Sequence, residues 1–185
     1  MDAYDLVLSV IANEPGNQVV GRTLLQKKIF FLKEMISARV RFFPHYYGPY
    51  SREVAGVIDS LVSAGLLKER AESYPLSDET PWGESTRYTY ELVRDLKNIH
   101  SLLKEQMGKA QYSRIQNAVK RINDRPESRN YKALSIAAKV LQILNEKGEM
   151  RIADLPKEAR RLRWKLDTND VKKAASFLKG INLLS

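Results

Sequence analysis

Residues 51–70 read SREVAGVIDSLVSAGLLKER. Val54, Val57, Ile58 and Leu61 recur at helical spacing, which predicts an amphipathic helix with one buried face. Ser51 stands at the N-cap, and Glu53 lies in the first turn, near the positive end of the helix dipole. Gly65 suits the left-handed residue that ends a helix. Leu66 to Arg70 then reads as a short strand, and RYTYEL (87–92) alternates as a second, half-buried strand. A polar loop from Ser73 to Thr86, with Pro75, Pro81 and Gly83, joins the two.

Upstream, AYDLVLSVIAN (3–13) places Leu6, Val7, Val10 and Ile11 on one stripe that stops before Pro15-Gly16. In VVGRTLLQKKIFFLKEMI (19–36), Leu24, Leu25, Ile29, Leu32 and Ile36 share a face, with Lys27, Lys28, Lys33 and Glu34 largely opposite. Thr23 is a candidate cap, with a start nearer Gly21 as the alternative. The order is three helices, a strand, a loop and a strand, the order of a winged helix. The fourteen residues 37–50 exceed the three or four of a simple helix-turn-helix turn.

The chain has 185 residues and a net charge of +9, unevenly spread. Residues 1–92 hold 10 Lys and Arg against 12 Asp and Glu, and residues 93–185 hold 21 against 10. The first half therefore carries −2 and the second +11, which points to a polyanionic partner for the second half. Cysteine is absent, which excludes thiolate catalysis, disulfides and cysteine-based metal sites. The apolar runs are short and interrupted, so no membrane span is expected. Acids and no basic residue precede the first apolar run, which argues against a signal peptide and fits a cytoplasmic protein.

Beyond Leu92 the pattern is helical again. Val93, Leu96, Ile99, Leu103 and Met107 form one stripe, and Tyr112, Ile115, Val119 and Ile122 another, separated by Gly108. These helices are read as a connector (93–126) that packs on the first domain, joins it to the second or forms the seam of a homodimer. The tail repeats the beginning: Val54, Leu61 and Leu67 match Val171, Leu178 and Leu184 at a constant offset of 117, with Ser51 matched to Thr168 as N-cap. Helices are predicted at 131–146, 156–165 and 169–179, and no wing follows them. The predicted fold is mainly α with a small β wing (α+β). It comprises a winged-helix-like domain (1–92), the helical connector, and a second three-helix winged-helix-like domain (127–185).

Two basic clusters are candidate nucleic-acid contacts. In KEARRLRWKLD (157–167), Lys157, Arg160, Arg161, Arg163 and Lys165 surround Trp164, and Arg160 and Arg161 stand at helical spacing from the rest. In the second, Arg114, Lys120, Arg121 and Arg125 are spaced to share one helical side. The alternative for each is a solvated basic face.

The segment FFPHYYGPYS (42–51) is read as a buried turn, with Phe42, Phe43, Tyr46 and Tyr47 covering the bottom of the core. Base stacking on Tyr46, Tyr47 or Tyr50 is the functional alternative. His45 has no local Ser, Asp or Glu at a convincing spacing, so no catalytic residue is assigned. No phosphate-binding glycine loop, HExxH or EF-hand pattern occurs, so no cofactor or metal is implied.

GRTLLQKKIFFLKE together with YYGPYSREVAGVIDSLVSAGLLKE resembles the YwgA-type proteins and, more distantly, the Panacea domain of SocA-like antitoxins. The shared residues are Thr23, Leu25, Gln26, Lys27, Phe30 and Phe31, then Tyr47-Gly48-Pro49-Tyr50-Ser51, then Ile58, Asp59, Leu61, Gly65, Leu66 and Leu67. The resemblance covers about residues 5–92 and implies a winged-helix-like domain tied to regulation or antitoxin function, without established catalytic residues. The expected function is nucleic-acid binding, duplex DNA before RNA, by a regulatory protein. The alternative is a protein-interaction adaptor or antitoxin-like module that holds a protein partner.

Overall fold

The computed structural model describes residues 1–73, 86–93 and 98–184. Among these, eight α-helices surround one small antiparallel sheet. Helix α1 (Ala3–Ala12) opens with a reciprocal cap in which Asp2 accepts from the Asp5 amide at 3.0 Å and Asp5 from the Asp2 amide at 3.3 Å. A short 3-10 turn, Pro15–Asn17, leads into strand β1 (Gln18–Val20). Helix α2 (Arg22–Ile36) follows from Gly21 as N-cap, so Thr23 lies inside the first turn. Helix α3 (Arg52–Ser63) is capped by Ser51, whose Oγ accepts from the Val54 amide at 3.2 Å.

Strands β2 (Leu67–Ser73) and β3 (Thr86–Leu92) pair antiparallel, and β1 adds to the other edge of β3 with Val19 opposite Tyr90. The sheet order is β1-β3-β2. Strand β1 is not among the sequence expectations, which start the helix at Gly21 or Thr23 and leave Val19 and Val20 unassigned. Val19 turns into the core and Val20 to solvent, the alternation of a strand, but three residues are too few for it to stand out. The polar loop expected between β2 and β3 falls largely on residues 74–85, outside the described residues.

Helix α4 (Ile99–Met107) and helix α5 (Lys109–Asn123) meet at Gly108, where the sequence placed the break. Residues 94–97, with Leu96 of the first stripe, lie outside the described residues. A 3-10 turn, Pro126–Arg129, leads to α6 (Tyr131–Lys147), α7 (Leu155–Arg161) and α8 (Thr168–Gly180). The N-cap of α8 is Asp167 rather than Thr168, in a second reciprocal cap with Asp170.

Helix α2 is the hub. It packs on α1, α5 and α6, so almost its whole circumference is covered. Leu25, Ile29, Phe31 and Leu32 are buried, as the stripe predicts, but so are Lys27 (1% exposed) and Lys28 (2%), which that reading had put on the outer face. The apolar cluster runs unbroken from α1 to α8, and the Phe31 and Phe177 rings meet edge-on at 5.2 Å between α2 and α8. The α4–α5 stripe read as a dimer seam is largely used within the chain: Leu103, Ile115, Val119 and Ile122 are buried, and α5 lies against α1 and α2. No helix among the described residues is long and apolar enough to cross a membrane.

Candidate nucleic-acid interface

The polar residues of α2 explain the aromatic turn before α3. Gln26 grips the Ser51 backbone from both sides: its Nε2 donates to the Ser51 carbonyl at 3.0 Å, and its Oε1 accepts from the Ser51 amide at 3.0 Å. Each such bond contributes about 1 kcal/mol, and breaking it would strand a buried backbone group at greater cost. Lys27 Nζ donates to the Pro49 carbonyl at 2.6 Å, with no carboxylate partner among the described residues. Burial, reinforced by Lys139 of α6, lowers its pKa to about 7. Burial likewise lowers the pKa of Lys28, which bonds Glu14 at 2.6 Å and Asn123 at 2.9 Å, and that of Lys139.

Gly48, at φ +92, sits hard against α6. A Cβ there would lie 3.1 Å from Lys139 Cγ and 3.2 Å from the Ser135 carbonyl. The turn is thus buried at Gly48 and Pro49, as expected, but not throughout. Phe42 packs on Phe30 at 5.2 Å, whereas Phe43 is 55% and Tyr46 58% exposed, so these two do not cover the core as the sequence reading had them do. His45 is exposed, with its ring 5.2 Å from that of Tyr50.

The structure does not gather the nine predicted cationic residues on one face. Helix α5 packs on α1, α2 and α4, while α7 packs on α6 and α8, so the two clusters sit on helices with different packing partners, and only Arg125 reaches α8. On α5, Lys120 pairs with Asp124 at 2.7 Å. Arg125, just past the end of α5, approaches Glu127 at 3.7 Å and lies against Gly180 of α8, where a Cβ would come 2.8 Å from its Cζ. Arg114 and Arg121 remain exposed on α5 without an ion pair among the described residues.

The 157–165 block also departs from its prediction. Helix α7 ends at Arg161, and Arg163 adopts a left-handed conformation with φ 58. The chain turns there because Trp164 goes inward: it is 2% exposed, and its indole N–H donates to the His45 carbonyl at 2.7 Å. Lys157, Arg160, Arg161, Arg163 and Lys165 are all exposed but are not on one helical stripe. Arg161 pairs with Glu158 at 2.9 Å, and Arg160 Nε donates to the Pro156 carbonyl of its own helix at 3.4 Å. Lys157, Arg163 and Lys165 have no ion pair among the described residues.

The next helix extends this cationic surface with residues the sequence reading passed over. Helix α8 buries Val171, Ala174, Phe177 and Leu178. Its other side exposes Thr168, Asn169, Lys172, Lys173, Ser176 and Lys179, and none of the three lysines has a carboxylate partner among the described residues. The signal was legible in TNDVKKAASFLKG as polar residues at 168, 169, 172, 173, 176 and 179, which fall within about 140° of the helix circumference.

The N-terminal sheet and α3 have a different character. Arg22 stacks over Tyr88 at 3.7 Å, donates to the Tyr90 hydroxyl at 2.6 Å and pairs with Glu69 at 3.2 Å, and Arg70 pairs with Glu91 at 2.9 Å. The outer face of α3 offers Arg52, Glu53, Asp59 and Ser60, which gives no positive excess.

A polar cleft of about 590 Å³ opens between the end of α1, α2 and α5. Its groups bond one another: Lys28 to Glu14, Asn13 Nδ2 to the Tyr112 hydroxyl at 3.2 Å, and His100 Nδ1 against that hydroxyl at 2.6 Å. No group of three or more His, Asp or Glu among the described residues is placed to hold a metal ion. Neither a protein-family model nor a curated protein matches the chain.

Proposed function

We propose that the chain is a nucleic-acid-binding regulatory protein of the cytoplasm, a binding module rather than an enzyme, that grips duplex DNA through α8 and the basic turn before it. The observation that carries this reading is the outer face of α8. Lys172, Lys173 and Lys179 stand there with Thr168, Asn169 and Ser176, free of carboxylate partners among the described residues, while the opposite face is anchored in the core. Helices α6, α7 and α8 follow one another as a three-helix unit in which α8 takes the place of a recognition helix, flanked by Arg160, Arg163 and Lys165. The lysines neutralise phosphates, and the short polar side chains between them lie where base edges would be met.

The N-terminal half supports a winged-helix-like reading by topology. Its order is α1, β1, α2, α3, β2, β3, with β1 on the free edge of β3, so β2 and β3 form the wing. Its charge supports a second role. With Arg22 and Arg70 neutralised and α3 carrying Glu53 and Asp59, the sheet and α3 suit a protein partner better than a polyanion. The resemblance to YwgA-type and Panacea proteins, confined to that half, is in keeping with such a contact.

The test is a fluorescence-anisotropy titration of the full chain against random duplex DNA over about 50 to 200 mM salt. Five or six phosphate contacts weaken binding by roughly a thousandfold over that range. Binding that is absent at the low end, or insensitive to salt, overturns the proposal.

A further inference from the structure

The segment between α2 and α3 carries a feature that the duplex reading leaves unused. From Arg39 to Phe43 the residues alternate across an extended backbone. Val40 and Phe42 face inward, with Phe42 against Phe30, while Arg39, Arg41 and Phe43 face solvent. Two backbone hydrogen bonds of 2.9 Å between Phe43 and Tyr50 close the loop, and Pro44, His45 and Tyr46 form its tip. The Tyr46 ring is held perpendicular to Tyr47 at 4.9 Å, with more than half of its residue surface open. The bond from Trp164 to the His45 carbonyl then fixes this tip beside Arg163 and Lys165, the residues that flank Trp164.

Two bare aromatic rings thus stand on a pinned loop among four exposed cations, Arg39, Arg41, Arg163 and Lys165, none of which has an ion pair among the described residues. A protein-binding patch gathers its apolar residues at the centre and keeps charge at the rim. Here the exposed cations and rings share one run, Arg39 and Arg41 followed by Phe43 and Tyr46, which offers what single-stranded nucleic acid requires: a π-face for each base and a charge for each phosphate.

We propose that this rim binds single-stranded nucleic acid, with unpaired bases stacked on Phe43 and Tyr46 and the four cations on the adjoining phosphates. The proposal rests on the nucleic-acid reading of the neighbouring α8 and names a second substrate form for the same side of the molecule. Tyr47 and Tyr50, the other stacking candidates of the sequence, are half-buried and serve as supports.

The experiment titrates the full chain against two labelled probes, an oligothymidylate of about 20 nucleotides and a blunt duplex of the same length, both longer than a single stacking site requires. Wild type is compared with the Phe43→Ala/Tyr46→Ala double variant and with Lys172→Ala/Lys173→Ala/Lys179→Ala, after a thermal melt shows all three folded. Removing the rings is expected to weaken oligothymidylate binding by about 30-fold and to leave duplex binding within about twofold. The lysine variant is expected to lose chiefly the duplex. If oligothymidylate does not bind, or binds the ring variant as well as wild type, this inference fails, while lysine-dependent duplex binding still leaves the α8 reading standing. If neither probe binds wild type, both fail. An equal loss of both probes in the ring variant also overturns the inference.

Discussion

Replacing Lys172, Lys173 and Lys179 together by alanine lowers affinity for duplex DNA by roughly 500-fold at 0.1 M salt and flattens its salt dependence. The magnitude follows from counterion release: each phosphate contact adds about 0.9 to the slope of log affinity against log salt, or roughly eightfold at this concentration. Three lost contacts therefore remove about 2.7 from the slope. The fold should survive, because all three side chains are exposed without ion pairs and alanine is the best helix former. Equivalent removal of Arg114 and Arg121 should change affinity little, since α5 packs on α1, α2 and α4 rather than within the α6–α8 unit. A titration in which the α5 variant loses as much as the α8 variant would place the contact on the wrong helix.

The second large effect concerns stability and Lys27. Its pKa in the folded protein is lowered to about 7 from 10.5, by burial first and by Lys139 second. Between those values the unfolded chain binds the proton that the folded chain has shed, so stability climbs as pH rises from about 7 to about 10.5. Below about 7 the lysine is charged in both states, and that stabilisation is lost. At 1.36 kcal/mol per pH unit, the whole window amounts to roughly 5 kcal/mol. Lys28 and Lys139, also lowered by burial, act in the same direction.

Lys27→Met keeps the length of the side chain and removes the buried ammonium. Urea unfolding at pH 6 is expected to show the variant more stable than wild type, with the difference shrinking or reversing at pH 9.5 as the Pro49 hydrogen bond becomes the only loss. A wild-type midpoint that falls across this range, or a variant with the same pH profile as wild type, would show that Lys27 is not shedding its proton on folding.

These two effects mark where the sequence could be read and where it could not. Periodicity located α1, α3, α5, α6 and α8 because each carries a regular apolar stripe, and the Ser51 cap and the Gly108 break are local signals that need no tertiary context. Helix α2 defeats the same reasoning. Its lysines look like an outer face until α5 and α6 are folded over them, and nothing within residues 22–36 announces that cover. Strand β1 exists because β3, some seventy residues on, pairs with it. Helix α7 stops where it does because Trp164 reaches the His45 carbonyl across the molecule.

The candidate interface followed the same division. The density of charge in residues 157–167 singles out the segment just before α8, but the three lysines of α8 are diluted by alanines and a buried phenylalanine. Their common face emerges only when the helix is drawn with its apolar side inward. In FFPHYYGPYS, composition announced aromatic packing, but not that Phe42 packs against the core while Phe43 and Tyr46 stand out.

The most direct test of the claim that α8 and the turn before it hold nucleic acid is amide hydrogen exchange of the full chain with and without saturating duplex DNA. The predicted result is slowed exchange concentrated between Arg160 and Lys179, with α3 and the strands unchanged. Protection confined to α3 and the β2–β3 sheet, or no change anywhere under conditions where the duplex is bound, would contradict it.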